Sequence, residues 1–487
     1  MWRMRPVILA LLVAPFLSES AVLGAPAPSA RALQAGFAKR VITPSLSPGP
    51  VYLAGFDHDR KATGVHDDLF VRCLGLSDGT QKLALCSLDL IGFFLPETQK
   101  TRLLLAARVP GARLVVASTH DHEGPDTMGL WGPNPMRSGV DPAYRERLCR
   151  EIAQTAAEAL LAVKPATFTF ANARTPGLIA DGREPQVIDD EIVILKATGA
   201  DGKTLGTLVN WSSHPEALGG KNTLITADYP HYLLARVESA LGGIGVFFSG
   251  SIGGLMSPLS VGLEDDAGHV LPPETFEHAR AIGERAADIA LRALRGAAPS
   301  KSAALEYRSA RVFVPLANPL FRLAYAVSIF DRPLFTKGVA DATTGLSLYK
   351  GVPMPLPKGE DLETEIGYVR LADAEILLVP AEIYPELVKG GIQDPQDAGA
   401  DFPGAAKEPP LADLLHAEYK LVFGLANDEL GYVIPRAQWD EKPPFAYGRD
   451  EAQYGEVNSV GDRAAPVLAE AFRALLATPP RAGGKKP

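Results

Sequence analysis

Cysteine is scarce: there are three in 487 residues, Cys73, Cys86 and Cys149. That excludes a disulfide-built scaffold and leaves no cysteine cluster for a metal. An excess of positive charge is missing too, with 48 Lys and Arg against 57 Asp and Glu, a net charge of −9. Phosphate backbones are bound by clustered cations, so nucleic acid is excluded as the main partner. Beyond the first 25 residues no apolar run is long enough to span a bilayer as a helix. No internal repeat is present, which argues against solenoid and propeller folds.

What remains is an ordinary globular composition, 46% hydrophobic and 22% charged. The chain opens with two arginines in Met1-Trp-Arg-Met-Arg5, an apolar stretch from Pro6 to Leu17, and small residues around Ala21-Val-Leu-Gly-Ala25. This is the layout of a signal peptide over residues 1–25, and it implies a secreted or periplasmic protein. An uncleaved N-terminal membrane anchor is the alternative. Residues 31–478 are read as one large domain, and 479–487 as a disordered tail. Cys73 and Cys86 flank the hairpin turn Ser77-Asp-Gly-Thr80; the sequence leaves their pairing open. An odd count leaves at least one free thiol.

Strand and helix patterns alternate through the whole length, which predicts a mixed α/β fold with helices flanking the sheets. Asp141-Pro142 supplies a cap and a first-turn proline, and Tyr144, Leu148, Ile152, Ala156 and Leu160 recur on one face. Further helices are expected over roughly 230–241, 273–294 and 464–477. Short β-type runs are expected at 167–171, 191–195, 206–211, 245–249, 305–314, 366–371, 375–379 and 421–425. Residues 395–412, rich in Pro, Asp, Ala and Gly, read as a surface loop.

The informative feature is how the apolar runs end. Leu114-Val-Val-Ala-Ser-Thr-His120-Asp-His122-Glu-Gly-Pro125 is a strand that finishes in His-x-His and a turn. Thr207-Leu-Val-Asn-Trp-Ser-Ser-His214-Pro215 finishes in another histidine. Val246-Phe-Phe-Ser-Gly-Ser-Ile-Gly-Gly-Leu-Met-Ser257-Pro258 runs into a glycine-rich loop and a serine. Ile376-Leu-Leu-Val-Pro-Ala-Glu382 ends in a carboxylate, and Leu421-Val-Phe-Gly-Leu-Ala-Asn427 leads on to Tyr432. α/β sheets bind ligands beyond the carboxyl ends of their strands, and imidazole is a common metal ligand. Taken singly, each has an ordinary structural explanation: a turn, a helix-start carboxylate, a core aromatic. Their recurrence at five strand ends favours a shared site.

These segments resemble the catalytic region of the neutral ceramidases, secreted zinc amidases that cleave the N-acyl bond of ceramide. The family's Thr-His-x-His-Ser-Gly-Pro appears as Thr119-His-Asp-His-Glu-Gly-Pro125. Its Asn-Trp-x-x-x-His-Pro appears, one residue shorter, as Asn210-Trp-Ser-Ser-His-Pro215. Gly254-Leu-Met-Ser-Pro258, Pro380-Ala-Glu382 and Asn427-Asp-Glu-Leu-Gly-Tyr432 match further family segments in the same order, as does the early Gly36-Phe-Ala-Lys-Arg-Val-Ile-Thr-Pro44. The resemblance implies a Zn2+ site built from His120, His214, Glu382 and Tyr432. It places His122 beside the metal as a substrate-facing or proton-handling group and Ser257 close to the scissile bond, where it would orient water or substrate rather than act as a covalent nucleophile. It makes Arg174 and Tyr454 substrate-binding residues.

The chemistry suits those residue types. An amide is a poor electrophile; zinc lowers the pKa of bound water to about 7 and polarises a carbonyl. Well-placed donors such as Tyr454 and Arg174 would stabilise the oxyanion by roughly 3 kcal/mol each. The sequence departs from the family at Glu123, in place of serine, at Asp126, in place of glycine, and at Leu255, in place of aspartate. The two acids are read as negative charge beside the metal, which favours a cationic or polar substrate. After Tyr454 about one helix and a tail follow, so the immunoglobulin-like domain of longer members is not expected. The apolar segment 316–346 is read either as a wall for an acyl chain, with peripheral membrane contact, or as plain core. Three readings follow: an amidase acting on ceramide or another N-acyl lipid, a zinc hydrolase of a smaller polar amide or ester, and a non-catalytic extracellular binding relative.

Overall fold

The run Arg113–Ser118 alternates between two apolar surroundings. Leu114 and Val116 face helices, while Val115 and Ala117 face a second sheet. That double burial sets the architecture. The computed structural model describes residues 1–2, 32–349 and 352–478. All but Met1 and Trp2 of the expected signal segment, and the expected tail 479–487, lie outside the described residues.

The larger sheet has eight strands: β1 (Gln34–Val41), β2 (Phe70–Ser77), β3 (Lys82–Leu88), β4 (Arg113–Ser118), β5 (Lys164–Arg174), β6 (Glu191–Gly199), β7 (Thr204–Trp211) and β8 (Ile244–Ser249). Their spatial order is β8-β7-β6-β5-β1-β2-β3-β4. Both edge pairs, β8 with β7 and β4 with β3, are parallel; the remaining pairs are antiparallel. The smaller sheet contains β9 (Leu305–Pro315), β10 (Leu334–Thr336), β11 (Val339–Ala340), β12 (Asp361–Leu371), β13 (Ala374–Leu378) and β14 (Tyr419–Phe423). Its path runs β11-β10-β12-β13-β14, with β9 also paired to β12.

The two sheets pack face to face. Leu74, Leu85, Val115, Phe170, Leu195 and Phe248 of the first meet Val369, Ile376, Leu378, Leu421 and Phe423 of the second. Phe248 stacks on Phe423 with ring centroids 4.0 Å apart. Helices α1 (Leu95–Arg108) and α2 (Pro142–Leu161) cover one half of the larger sheet's outer face. Helices α3 (Asp228–Leu241) and α4 (Phe276–Leu294) cover the other half. Helix α5 (Pro319–Ala326) and α6 (Pro385–Lys389) are short, and α7 (Ala464–Ala477) covers the smaller sheet. The result is an α/β/β/α stack, the mixed α/β class expected from the alternation of patterns.

Several local expectations hold in detail. Asp141 caps α2 by accepting from the amides of Ala143 (2.8 Å) and Tyr144 (3.3 Å). Helix α4 starts at Phe276 rather than near 273, because Thr275 caps it through the His278 amide at 3.2 Å. Cys73 and Cys86 stand opposite each other across β2 and β3 and form a disulfide under α2; Cys149 is a free, buried thiol. Among the described residues no helix is long and apolar enough to cross a membrane.

Candidate metal centre

Three strand ends converge. After β4 the chain reverses at His120, which takes the left-handed conformation (φ 68°) that a non-glycine residue rarely adopts. The amides of His120 and Asp121 both donate to the Leu90 carbonyl, at 3.0 and 3.1 Å, and fix that turn. His214 lies three residues beyond β7, its amide held by the Met256 carbonyl at 2.8 Å. Glu382 follows β13, and a short parallel pairing sets it directly beside Tyr432. All four residues are buried.

The ring orientations are fixed from behind. A carbonyl oxygen only accepts, so the nitrogen facing it must carry the proton. His120 Nδ1 donates to the Ile91 carbonyl at 2.8 Å, and His214 Nδ1 donates to the Met256 carbonyl at 3.1 Å. Each neutral ring therefore turns an unprotonated Nε2 forward. Both Nε2 atoms meet the same oxygen, Glu382 Oε2, at 3.2 Å for His120 and 3.0 Å for His214. Three lone pairs so close together repel one another unless a cation or a proton lies between them. Ligands about 2.0–2.1 Å from a tetrahedral zinc stand roughly 3.3 Å apart, so the spacing fits that ion. His120, His122 and His214 also offer ligand atoms within 4.8 Å of one another, a group able to hold a metal ion.

The carboxylate and the two imidazoles are electrostatically linked. Burial opposes the ionised form of Glu382, but the charges and hydrogen bonds of His120 and His214 outweigh it and hold the carboxyl far below its usual range. Burial opposes a charged His214, yet the hydrogen bond and charge of Glu382 raise its pKa. Tyr432 is driven well above the ordinary phenol range, by burial first and by Glu382 next.

His122 is held by shape. Neither ring nitrogen has a hydrogen-bond partner, although both are buried. Gly55, at φ 96°, lies flush against the ring; a Cβ there would come within 2.3 Å of Nδ1. Phe56 packs edge-on at 5.0 Å between centroids. Glu216 Oε2 lies 3.6 Å from His122 Nδ1. Burial and the neighbouring His120 and His214 push the His122 pKa well below its ordinary value.

In front of the centre is a cleft. His120, His122, Glu382 and Tyr432 line one side; Phe94, Met128, Trp131, Phe321, Tyr325 and Phe330 line much of the rest. Past Gly55, Trp131, Phe321, Tyr454 and Asn458 it continues into an outer groove beside α5. Phe321, Tyr325 and Phe330 come from the apolar segment flagged in the sequence, while Leu334 and Phe335 from the same segment are buried.

The architecture has counterparts among solved structures. The neutral ceramidase from Pseudomonas aeruginosa matches over 91% of this chain and 74% of its own, with a TM-score of 0.66 and 17% identity. A ceramidase complexed with C2 matches over 91% of this chain and 75% of its own, with a TM-score of 0.65 and 17% identity. The chain has the neutral ceramidase fold. No protein-family model matches it, and no curated protein matches it in sequence.

Within this ceramidase fold the anticipated residues separate into two groups. His120, His122, His214, Glu382 and Tyr432 are brought together, and Tyr454 lines the cleft. The carbonyl of Tyr454 accepts from Arg183 at 2.7 Å, and its hydroxyl bonds to Asn458. Burial pushes the Tyr454 phenol up to about 12. Ser257 follows Met256, which holds His214, but it is not part of the cleft lining; its Oγ accepts from the Leu259 amide at 3.1 Å. Arg174 stands outside the cleft, at the end of β5, with a largely exposed side chain paired to Asp190.

Glu123 and Asp126 differ from the sequence-based expectation. Neither faces the metal position. Glu123 Oε2 accepts from Arg60 at 3.1 Å and from Asn222 at 2.7 Å. Burial, against the pull of Arg60, pushes its carboxyl up to about 8. Asp126 caps its own loop, accepting from the amides of Met128, Gly129, Trp131 and Gly139. The acids near the centre are instead Glu216 and Glu429, which the sequence reading did not single out. Neither carries a local signal: Glu216 follows a His-Pro pair, and Glu429 sits in a turn whose partners lie far away in the chain.

Proposed function

We propose that this protein is a zinc-dependent amide hydrolase acting on ceramide or a related N-acyl lipid, with His120, His214, Glu382 and Tyr432 as metal ligands. One observation carries the reading: two histidines with back-bonded Nδ1 atoms aim bare Nε2 atoms at one carboxylate oxygen. The fold shared with ceramidases and the largely apolar cleft in front of that point support it. Zinc held there supplies an acidified water and a polarised carbonyl.

The protein's own groups would do the rest. Ile91 and Met256 keep the two imidazoles in the metal-binding tautomer. Hydrolysis joins a water oxygen to the acyl carbon, breaks the C–N bond and leaves a proton on the departing amine. His122, whose ring nitrogens are free of hydrogen bonds, would carry that proton. Tyr454 would donate to the developing oxyanion from the cleft wall. The apolar walls contributed by Phe94, Phe321 and Phe330 would take the acyl chain and exclude water. Ser257 is assigned to the turn that follows it, where its Oγ accepts from the Leu259 amide, and Arg174, paired with Asp190 outside the cleft, is given no part in the reaction. The apolar N-terminal segment of the sequence supports export.

The deciding experiment measures metal content and fatty-acid release from a panel of N-acyl substrates that includes ceramide. It is done before chelation, after it, and after zinc is restored. Stoichiometric zinc with zinc-restored release supports the reading. Metal-free protein, or release indifferent to chelation, overturns it.

A further inference from the structure

Arg183 is buried and is not part of the cleft lining; it reaches the cleft through Tyr454, which is. Its two terminal nitrogens grip both carboxylate oxygens of Glu456, at 2.8 and 2.6 Å. The same nitrogens donate to the carbonyls of Tyr454, at 2.7 Å, and Gln438, at 3.0 Å. A two-pronged guanidinium–carboxylate pair fixes direction as well as distance. Gly455, between the two residues so held, has a φ of 140°, and a Cβ there would come within 2.5 Å of the Tyr384 hydroxyl and 3.3 Å of Arg183 Nη1. The chain at Tyr454 is thus pressed directly onto the arginine. The turn that follows brings round Asn458, whose side chain bonds to the Tyr454 hydroxyl.

The other end of the same segment supports the metal side. Ala180–Asp181 pairs antiparallel with Met256–Ser257. The Met256 carbonyl accepts from both the amide and Nδ1 of His214. Asp181 stiffens the passage between the two ends: Oδ1 accepts from the Arg183 amide at 2.9 Å, and Oδ2 from the Val187 amide at 2.7 Å. The Gly182 amide donates to the Gly254 carbonyl at 3.2 Å. Within Ala180–Arg183 the chain therefore passes from the support of His214 to the support of Tyr454.

We propose that Arg183 is a positioning residue, the end of a strut that holds the Tyr454 hydroxyl at a fixed place relative to His214. The inference rests on the amide-hydrolase reading, in which Tyr454 donates to the oxyanion, and it adds how that donor is held. A donor lowers the barrier only if it is already aimed where charge develops, and a small misplacement forfeits much of its effect. Arg183 acts through Tyr454 and touches no reacting atom.

Arg183→Lys keeps a positive charge opposite Glu456 but loses the planar fork that also reaches the Tyr454 carbonyl. With N-dodecanoyl sphingosine as substrate, kcat should fall by about tenfold or more, while KM and zinc content stay near their unmodified values. In a Tyr454→Phe background the same substitution should leave kcat where Tyr454→Phe alone puts it, yet lower the urea midpoint equally in both backgrounds. An arginine that serves stability alone would reduce kcat by the same factor in both. A second readout needs no turnover: with Tyr454 replaced by 3-fluorotyrosine, the narrow fluorine NMR signal of the zinc-loaded protein should broaden or split on Arg183→Lys. Glu456→Gln, which keeps the partner's shape but loosens its grip, should repeat both effects more weakly, and it carries the test if Arg183→Lys does not fold. An unchanged kcat, a kcat loss equal in both backgrounds, or an unchanged fluorine signal overturns the inference. If no N-acyl compound of the panel is cleaved but the fluorine signal responds, the strut stands and the amidase reading falls. If hydrolysis needs zinc but neither kcat nor the signal responds, the amidase reading stands and the strut falls.

Discussion

His122 Nδ1 lies 3.6 Å from the Glu216 carboxylate, beyond hydrogen-bond reach, and neither nitrogen of that buried ring is hydrogen-bonded. A carboxylate at this position favours the proton on Nδ1 and leaves Nε2 as the basic atom. Glu216 is thereby a positioning residue for His122. Glu216→Gln should retain full zinc, lower kcat by about tenfold and leave KM nearly unchanged, a size suited to impaired proton transfer. Kinetics alongside metal analysis check this. A normal kcat would remove Glu216 from the mechanism, and loss of zinc would make its role structural.

Gly55 provides an independent handle on the same ring. Its φ of 96° suits glycine, and an added Cβ would stand 2.3 Å from His122 Nδ1. Gly55→Ala must therefore displace the imidazole or the loop. The strain should cost about 1–3 kcal/mol of stability. Turnover should fall much further than metal content, since His120, His214 and Glu382 are untouched. Zinc analysis and a denaturant melt measure the two effects; unaltered turnover would show that the position of His122 does not matter.

Arg60 is the strut beneath this loop. It pairs with Glu123 at 3.1 Å and donates to the carbonyls of Ala54 and His122, all within the interior. The Glu123 carboxyl, raised to about 8, ionises only on the alkaline side, and there removing Arg60 leaves its charge uncompensated. Above that pH, Arg60→Met should lower stability by about 3–5 kcal/mol, read from urea unfolding. Glu123→Gln added to Arg60→Met should recover part of the loss in the same pH range, because the stranded charge disappears. A double variant no more stable than the single one would show that the carbonyl bonds, not the charge pair, hold the loop.

The sequence made the strand ends legible because their chemistry is local. His120, His122, His214, Glu382 and Tyr432 each close an apolar run or follow one closely, and the α/β/β/α stack gathers those ends. What it hid depends on partners remote in the chain. The amide of Leu95 at the start of α1 donates to Asp428 at 2.9 Å, so no cap is visible beside that helix. Arg174 is turned to the surface at the end of β5, a matter of sheet pairing rather than of motif. Glu123 and Asp126 read as metal-facing acids until Arg60, Asn222 and four loop amides account for them. The left-handed turn at His120 is equally silent in the sequence, since the Leu90 and Ile91 carbonyls that hold it lie far back in the chain.

Acid should strip the metal, and the sign follows from the pair at its centre. Without a cation, Glu382 raises the pKa of His214 through a hydrogen bond and charge, against the opposing effect of burial. The same contacts hold the Glu382 carboxyl low, so the carboxylate stays ionised while the imidazole accepts a proton. Proton and metal therefore compete for the Nε2 lone pair of His214. Zinc retention should be complete at alkaline pH and fall as pH drops through the raised imidazole value, with activity falling in parallel. His214→Ala removes the competing site and should bind zinc poorly throughout that range. Dialysis at graded pH followed by metal analysis measures both curves. Zinc held by His214→Ala as tightly as by the unmodified chain would take this histidine out of the ligand set, and with it the convergence on Glu382 from which the hydrolase reading is built.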